Sequence, residues 1–379
     1  MNRSVGPRVF VLHGLREVPN EVPLAQACQQ AGLLGATAPG AWPLLTAALR
    51  ARGAVAVLVT ADASVQDPPA HWLDAEHARG WMAPQAGSDI DGDSLLASWQ
   101  AQLAQGHVPV DAALLAWPKL PWLSWGDQPG FRCTLPVSAC HAVNPPLGLY
   151  AIVDNAAALR RVLEAGVRTV QLRVKRPPDA DADADADAGW TEALRGAVRD
   201  SMAAADAHGA RLFINDHWRL AAELGARAVH LGQEDLLALD QRGQAEFRVS
   251  GLGLGVSSHA VWELCRARGR APQYIACGPV WPTTTKDMPW RPQGLDNLAW
   301  WCRVADAPVV AIGGILTPEQ VRQTAAAGAS GVCVLRGLGS DPRLTVAALQ
   351  RAFDQGRQDA MARTDPPDPT LHPTLDSAS

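Results

Sequence analysis

The sequence predicts an α/β protein whose C-terminal part is a closed (β/α)8 TIM barrel, and three observations lead to this fold class. Eight short apolar runs between residues 148 and 337 have the length and composition of buried strands. Between the runs lie amphipathic stretches of helical period that close on a glycine. The runs turn polar at their carboxyl ends. An open doubly wound sheet is the alternative, but no GxGxxG pattern follows the first run.

The predicted strands follow one another at the spacing of repeated strand–helix units. In order, they are GLYAIVD (148–154), TVQLRVK (169–175), RLFIND (211–216), AVHLGQ (228–233), GLGLGVSS (251–258), YIACGPV (274–280), PVVAIGG (308–314) and GVCVLRG (331–337). The carboxyl ends of all strands of a parallel barrel meet on one face, where such barrels carry their active sites. Polar residues that are distant in sequence are therefore predicted to converge there.

The overall composition is that of a soluble globular protein. The chain is 47% hydrophobic and 19% charged, and no apolar run is long enough to cross a membrane. The apolar run near the N-terminus is too short for a signal peptide, so we expect a cytoplasmic protein. The net charge of -5 disfavours a nucleic-acid partner, because a phosphate backbone would be repelled. The sequence does not decide the oligomeric state, and a homo-oligomer is compatible with it.

Changes in composition divide the chain into three parts. We predict a smaller α/β domain at residues 1–143, the barrel at 144–355 and a disordered, proline-rich tail at 356–379. The prolines at 145 and 146 suit a connection between domains because they restrict the backbone. Residues 179–187 repeat Asp and Ala and have no apolar face to bury. They are predicted to form a solvated loop inserted in the barrel.

The second predicted strand carries three polar side chains in alternation with apolar ones. Gln171, Arg173 and Lys175 would therefore share one face of the strand. Burying such a polar face inside a barrel costs free energy unless an anion binds there. An Arg beside a Lys suits a diphosphate, because both are cations that bind phosphate oxygens. A solvated outer strand is the alternative, but the helix-rich flanks should cover the outside.

Carboxylates follow the third and fourth predicted strands. Asn215-Asp216 ends the third strand, and Asp235 comes shortly after the fourth. Two carboxylates with phosphate oxygens and waters form the kind of site that magnesium prefers. The alternative for Asp235 is a role at a helix N-terminus. His230 lies in the middle of a strand and is interpreted as a packed, hydrogen-bonded core residue.

A candidate phosphate-binding corner follows the last three predicted strands. The loop after the sixth strand offers the hydroxyls of Thr283 and Thr285 and the cation of Lys286. Close backbone N–H groups are expected at Gly314, after the seventh strand, and near Arg336, after the eighth. This is the usual phosphate-gripping corner of such barrels.

These motifs, in this order, closely resemble the thiamine phosphate synthase family. The resemblance rests on QLRVK, FIND, VHLGQED, GVSSH, GPVWPTTTK and AIGGI, and it covers residues 148–341. It implies a magnesium-dependent (β/α)8 transferase. Its members join 4-amino-5-hydroxymethyl-2-methylpyrimidine diphosphate to a thiazole phosphate and release pyrophosphate through a dissociative, cation-forming reaction.

The resemblance also implies a role for each matching residue. Gln171 would bind the pyrimidine, while Asp216 and Asp235 would hold magnesium. The diphosphate would be bound by Arg173, Lys175, Asn215, Ser257 and Lys286, and the thiazole phosphate by Thr283, Thr285, Gly314 and the backbone near Arg336. Arg336 is a departure, because the family often has Ser at this position.

Two other functions are compatible with such a barrel. A thiazole tautomerase-like enzyme would lack the pyrophosphate machinery, and a non-catalytic sensor of the thiamine pathway would have lost one of its charges. The complete set of cations and carboxylates favours the synthase.

The N-terminal part contains two predicted strands, at 9–15 and 54–62, and a predicted helix between them at 43–53. Residues 130–139 are faintly similar to the anion-binding turn of the pyrimidine kinase that is sometimes fused to this synthase. Phe131 and Arg132, however, replace the small residues that a phosphate would approach. We therefore interpret residues 1–143 as an accessory or degenerate kinase-like domain.

Overall fold

A computed structural model describes most of the chain. The described residues are 7–14, 17–33, 35, 37–61, 71–85, 90–125, 146–175, 184–283 and 292–362. They divide into two compact units: one contains residues 1–136 together with 260–270, and the other contains residues 137–259 and 271–379. Among the described residues, no helix combines the length and apolar character needed to span a lipid bilayer.

The second unit contains the closed parallel barrel that the sequence predicts. Its strands are β7 (Gly148–Val153), β8 (Thr169–Leu172), β9 (Arg211–Asn215), β10 (Ala228–Leu231), β11 (Gly253–Ser258), β12 (Tyr274–Cys277), β13 (Val309–Ala311) and β14 (Gly331–Val334). Each strand pairs with the next, and β14 closes the ring on β7, where Val332 pairs with Leu149. The predicted (β/α)8 fold is confirmed.

Helices lie between the barrel strands and after the last one. They are α5 (Ala156–Glu164), α6 (Ala184–Ala207), α7 (Trp218–Glu223), α8 (Gln233–Leu237), α9 (Gln241–Val249), α10 (Val261–Arg268), α11 (Gly294–Val304), α12 (Pro318–Ala326) and α13 (Pro342–Ala362). N-terminal capping residues determine where several of these helices begin. Asn155 caps α5, and Thr317 and Gln320 form a reciprocal capping box at α12.

Two predicted segment boundaries need correction. The Asp-Ala repeat at 179–187 is not a loop throughout, because α6 already begins at Ala184, within the repeat. The alanines between the aspartates have the highest helix propensity of any residue. The tail predicted from residue 356 also begins too early, since α13 continues to Ala362 and buries Gly356 against α12, where Arg322 lies. The rest of both segments lies outside the described residues.

The N-terminal unit is an α/β domain built on a six-stranded antiparallel sheet. Its elements are β1 (Arg8–Leu12), β2 (Asn20–Pro23), α1 (Leu24–Ala31), α2 (Trp42–Ala51), β3 (Ala56–Thr60), β4 (His71–Ala75), β5 (Arg79–Ala83), α3 (Gly92–Ala104), α4 (Pro109–Leu115) and β6 (Trp122–Leu123). The strand order is β2-β1-β3-β4-β5-β6. Both predicted strands and the helix between them are confirmed, whereas the kinase-like turn at 130–139 lies outside the described residues.

Tryptophans dominate the core of this unit. Trp42 and Trp72 are fully buried, and both contact Trp81, at ring-centroid distances of 5.8 and 5.3 Å. Trp72 also donates its indole N–H to Thr46 Oγ1 (2.8 Å), which in turn donates to Asp74 Oδ2 (2.9 Å). The buried polar groups of Trp72, Thr46 and Asp74 are thus paired with one another, as burial favours.

Helix α10 belongs to the N-terminal unit, although it follows β11 in the chain. All eight of its residues are buried. The carboxylate of Asp111 accepts hydrogen bonds from the first two backbone N–H groups of α10, at Val261 (3.4 Å) and Trp262 (2.9 Å). Near the helix C-terminus, Arg268 donates to the Leu120 carbonyl (2.8 Å). The domain division predicted from the sequence did not include this segment.

We predict that Asp111→Ala lowers the free energy of unfolding by about 2–3 kcal/mol, because it leaves two buried N–H groups without an acceptor. Asp111→Asn keeps one acceptor oxygen and should cost less. Denaturant unfolding followed by tryptophan fluorescence measures both effects. Asp91→Ala is the matched control: it removes an exposed cap from α3 in the same unit, where water can replace the lost acceptor, and should cost clearly less than Asp111→Ala. Equal losses at Asp111 and Asp91 would contradict the buried-cap interpretation.

Candidate functional site

Most of the predicted site residues lie at or just beyond the carboxyl ends of barrel strands. Gln171 is the next-to-last residue of β8, and Asn215 is the last residue of β9; both are buried. Ser257 lies near the end of β11 and is half-buried. Asp216 follows β9 directly. These residues share one face of the barrel because all eight strands are parallel.

The placement of the two predicted cations differs from the expectation. Strand β8 ends at Leu172, so Arg173 and Lys175 lie beyond it and are exposed, rather than pointing into the barrel with Gln171. The reason is solvation, since a guanidinium and an ammonium cost less free energy at the rim than inside the barrel. The Arg173 N–H still extends the ladder by donating to the Val153 carbonyl (2.7 Å).

The two cations line an open cleft at this end of the barrel. The cleft has a volume of about 630 Å³, and Asp154 and Arg161 also line it. His217 hydrogen-bonds through Nε2 to the Val174 carbonyl (3.2 Å), and so ties the loop that carries both cations to the turn that carries Asp216. This hydrogen bond holds the cations Arg173 and Lys175 and the carboxylate of Asp216 at the same part of the barrel rim.

A chain of hydrogen bonds crosses the inside of the barrel and joins Gln171 to Ser257. Gln171 Nε2 donates to the Tyr150 hydroxyl (3.1 Å), which lies 2.6 Å from the Tyr274 hydroxyl. That hydroxyl lies 2.6 Å from His230 Nδ1, and His230 Nε2 lies 2.8 Å from Ser257 Oγ. The five residues come from five different strands. The predicted role of His230 as a packed, hydrogen-bonded residue is confirmed.

The protonation states of these five residues determine which group donates each hydrogen bond in the network. Burial lowers the pKa of His230 to about 3, and the charge of Arg173 acts in the same direction, so the imidazole is neutral. Burial raises the pKa of Tyr150 and Tyr274, so both remain protonated. Because the Gln171 amide donates, each hydroxyl can pass its hydrogen onward, and His230 can donate from Nε2 to Ser257. The Ser257 O–H is then directed towards another acceptor.

Asp216 and Asp235 are electrostatically coupled at the rim. Partial burial is the largest cause that raises the pKa of Asp216, and repulsion from the Asp235 carboxylate raises it further. His217 and Arg173 act in the opposite direction. Asp216 has a φ of +63°, in the left-handed region that Asp tolerates better than most residues. A cation between the two carboxylates would remove the repulsion.

Asp235 also has the alternative role that the sequence indicated, at the N-terminus of a helix. Asp235 lies in the first turn of α8, and its Oδ2 accepts a hydrogen bond from the Gly232 backbone N–H (2.9 Å). This bond uses one oxygen of a carboxylate that has two. Among the described residues, no group of three or more His, Cys, Asp and Glu side chains could hold a metal ion. Magnesium needs only one or two carboxylates when phosphate oxygens complete its shell, so the pair fits this metal.

Backbone contacts hold the predicted phosphate corner together. The N–H groups of Val280 and Trp281 donate to the carbonyls of Ile312 (2.9 Å) and Gly313 (3.1 Å). Gly314 has a φ of +71°, and a Cβ on it would lie 2.6 Å from that of Trp281. Only glycine therefore allows this approach between the loops after β12 and β13.

Two of the other predicted corner residues are among those that the structure describes. Thr283 is half-buried after β12, and Arg336 is exposed at the start of a short 3-10 turn after β14. Thr285 and Lys286 lie outside the described residues.

Sequence reasoning missed Tyr150 and Tyr274. Both stand inside apolar runs, where an aromatic residue is ordinarily interpreted as core. A signal was nevertheless present, because the whole chain contains two tyrosines and both occur in barrel strands. Their hydroxyls need partners when buried, which indicates a polar network inside the barrel.

The comparisons with known proteins concern the barrel half of the chain. Residues 149–338 match the family model described as thiamine monophosphate synthase. A thiamine-phosphate synthase of Rhizobium etli is 43% identical over 194 residues, which are 51% of this chain and 87% of the relative. One of Neisseria meningitidis is 42% identical over 212 residues, which are 55% of this chain and 96% of the relative.

A solved structure, the thiamine phosphate pyrophosphorylase of Pyrococcus furiosus, aligns with 25% identity and a TM-score of 0.46, covering 55% of this chain and 96% of that one. The family model covers half of the chain, and the chain covers most of each curated relative. The chain therefore belongs to the thiamine monophosphate synthase family.

Proposed function

We propose that the barrel makes thiamine phosphate by joining 4-amino-5-hydroxymethyl-2-methylpyrimidine diphosphate to a thiazole phosphate, with release of pyrophosphate. The observation that carries the proposal is the convergence of Gln171, Asn215, Asp216 and Ser257 at one end of the closed barrel. Family membership supports the same reaction.

The proposed roles are those that the family resemblance implies. The Gln171 amide, oriented by Tyr150, binds the pyrimidine ring. The diphosphate is bound by Arg173, Lys175, Asn215, Ser257 and Lys286, and the thiazole phosphate by Thr283, Thr285, Gly314 and the backbone near Arg336. The directed O–H of Ser257 supports its role, because an anionic oxygen is a strong acceptor.

The proposed reaction is dissociative. The C–O bond to pyrophosphate breaks first and leaves a pyrimidine methylene cation, which the thiazole nitrogen then attacks. The protein must place positive charge where negative charge develops on the leaving group. Arg173 and Lys175 can do so, because both side chains are exposed just beyond the end of β8. No protein nucleophile is required.

Asp216 and Asp235 would hold Mg²⁺, which when bound supplies charge neutralisation for the diphosphate. Burial raises the pKa of Asp216 and repulsion from the Asp235 carboxylate raises it further; this repulsion supports the assignment, since two interacting carboxylates attract a divalent cation. A thiazole tautomerase or a sensor would not need such a pair beside two cations.

The setting of the reaction is part of the same proposal. The described cysteines Cys28, Cys265, Cys277, Cys302 and Cys333 are thiols rather than disulfides, which suits the cytoplasm. The substrates are small molecules rather than nucleic acid, which the net charge of -5 disfavours.

The direct test is product analysis after the protein is mixed with both substrates and Mg²⁺. We expect thiamine phosphate and pyrophosphate in equal amounts, and neither product when one substrate is left out. Asp216→Ala and Asp235→Ala should remain folded and lose magnesium-dependent turnover. Isomerisation of the thiazole alone would instead favour the tautomerase, and binding without turnover would favour the sensor.

We predict that Asp216→Asn raises the melting temperature of the metal-free protein at neutral pH. The folded state raises the pKa of Asp216, so this group favours folding below the ordinary pKa of Asp. That contribution is lost as the pH rises through the raised value, and the ionised group then opposes folding. Asn removes the charge and tolerates the positive φ.

The measurement is thermal unfolding in a chelator at pH 7 and again below the ordinary pKa of Asp, where the gain should vanish. Asp154→Asn, at the end of β7, is the control and should show no such gain. A lower melting temperature for Asp216→Asn at pH 7 would mean that burial and repulsion from Asp235 do not disfavour the ionised carboxylate in the folded protein.

We predict that Tyr274→Phe lowers the free energy of unfolding by about 1–3 kcal/mol and lowers kcat/KM by roughly tenfold. The change removes one hydroxyl and breaks the chain between Tyr150 and His230. Ser257 then loses its fixed donor direction.

A double-mutant cycle with Ser257→Ala tests this coupling. If Tyr274 acts on the reaction through His230 and Ser257, the double variant should be little slower than Ser257→Ala alone. Fully additive losses in kcat/KM would show that Tyr274 acts by another route.

A further inference from the structure

Gln293 is a fully buried amide at the start of α11, and none of the roles above uses it. Its exposed fraction is 1%. The side chain donates from Nε2 to the His259 carbonyl (2.7 Å) and accepts through Oε1 a hydrogen bond from Asn297 Nδ2. An amide buried to this extent, with both ends engaged, holds its partners in fixed positions.

The backbone at Gln293 makes a second set of contacts. The Gln293 N–H donates to the Pro279 carbonyl (2.7 Å), and the Gly294 N–H donates to the Val280 carbonyl (3.0 Å). One residue thus joins the segment after β11, through its side chain, to the loop after β12, through its backbone. The same loop is bound to Ile312 and Gly313 after β13.

The orientation of the amide is determined by its partners. A peptide carbonyl can only accept a hydrogen bond, so the nitrogen of the Gln293 amide must face His259. Its oxygen must then face Asn297, which donates. Neither a carboxylate nor an apolar side chain of the same size can repeat this pattern, because each lacks the donor that His259 requires.

The segments that Gln293 joins carry two different parts of the proposed site. His259 follows Ser257 by two residues, and Ser257 is assigned to the diphosphate. Pro279 and Val280 lead into the loop that contains Thr283, which is assigned to the thiazole phosphate. A displacement at Gln293 would therefore change the distance between the two phosphate-binding groups.

We propose that Gln293 is a positioning residue that sets the separation of the diphosphate-binding and thiazole-phosphate-binding segments, an inference that rests on the proposed function. It touches neither substrate. Its effect on the reaction comes from holding the two segments at the distance at which the thiazole nitrogen can reach the pyrimidine carbon. Such alignment contributes strongly to rate, and a displacement of about 1 Å can cost up to a hundredfold.

The test is the steady-state kinetics of Gln293→Met in the full-length protein, with each substrate varied in turn. Met has nearly the same volume and removes both side-chain hydrogen bonds. We expect kcat/KM to fall about tenfold to a hundredfold, with KM raised for both substrates. Asn297→Ala removes one partner but leaves the bond to His259, and should retain kinetic constants within about threefold of the unaltered protein.

Thr324→Val is the matched control for stability alone. Thr324 is fully buried on α12 and donates to the Gln320 carbonyl (2.6 Å), so the change also removes a buried bond between a side chain and the backbone. It should lower the melting temperature without changing kcat or KM. Kinetics are compared well below each melting temperature, so that all variants are fully folded.

The outcomes separate the inference from the proposed function. Absence of thiamine phosphate synthesis by the unaltered protein would defeat the proposed function itself. An active unaltered protein beside a Gln293→Met variant with unchanged constants would overturn the inference. If Gln293→Met is insoluble, Gln293→Asn replaces it: the shorter amide cannot reach both partners, and normal constants for that variant would equally overturn the inference.

Discussion

A network of neutral hydrogen-bonding side chains runs from Gln171 to Ser257 and joins five strands of the barrel. The orientations of the site's side chains depend on this network. Its tyrosines are buried, so a missing hydroxyl would leave its neighbours without partners in a place that water does not easily reach. Burial thus makes the loss of any one of these hydrogen bonds costly in free energy. Burial also keeps the His230 imidazole uncharged, because it lowers the pKa of this residue. The hydrogen-bonding directions of the side chains at both ends of this network are therefore already set.

Charge is kept at the rim, above this neutral interior. Arg173 and Lys175 lie beyond the end of β8, and Asp216 and Asp235 follow β9 and β10. A charged group at the rim keeps much of its hydration until a ligand arrives, so the protein need not stabilise four buried ions when the site is empty. In the proposed function, the neutral interior would bind the uncharged pyrimidine ring, and the charged rim would bind the diphosphate.

The repeated strands and the polar strand ends could be predicted from the sequence because both depend on local pattern. Strand ends were less predictable: the alternation in QLRVK extends past Leu172, where solvation of Arg173 ends the strand instead. The roles of Tyr150, Tyr274 and Gln293 each depend on at least one partner that is 21 or more residues away, which no local pattern contains. The placement of α10 was missed for the same reason, since Asp111 precedes its partner Trp262 by 151 residues.

The membership of α10 in the N-terminal unit has a consequence for synthesis on the ribosome. Residues 7–125 leave the ribosome long before residues 261–268, and at about 5–20 residues per second the delay is on the order of ten seconds. During that interval the carboxylate of Asp111 has no helix to cap. The N-terminal unit can therefore complete its core only after β7 to β11 of the barrel have been translated. Tandem domains can fold one after another, whereas this N-terminal unit must wait for a segment that is translated between two strands of the barrel.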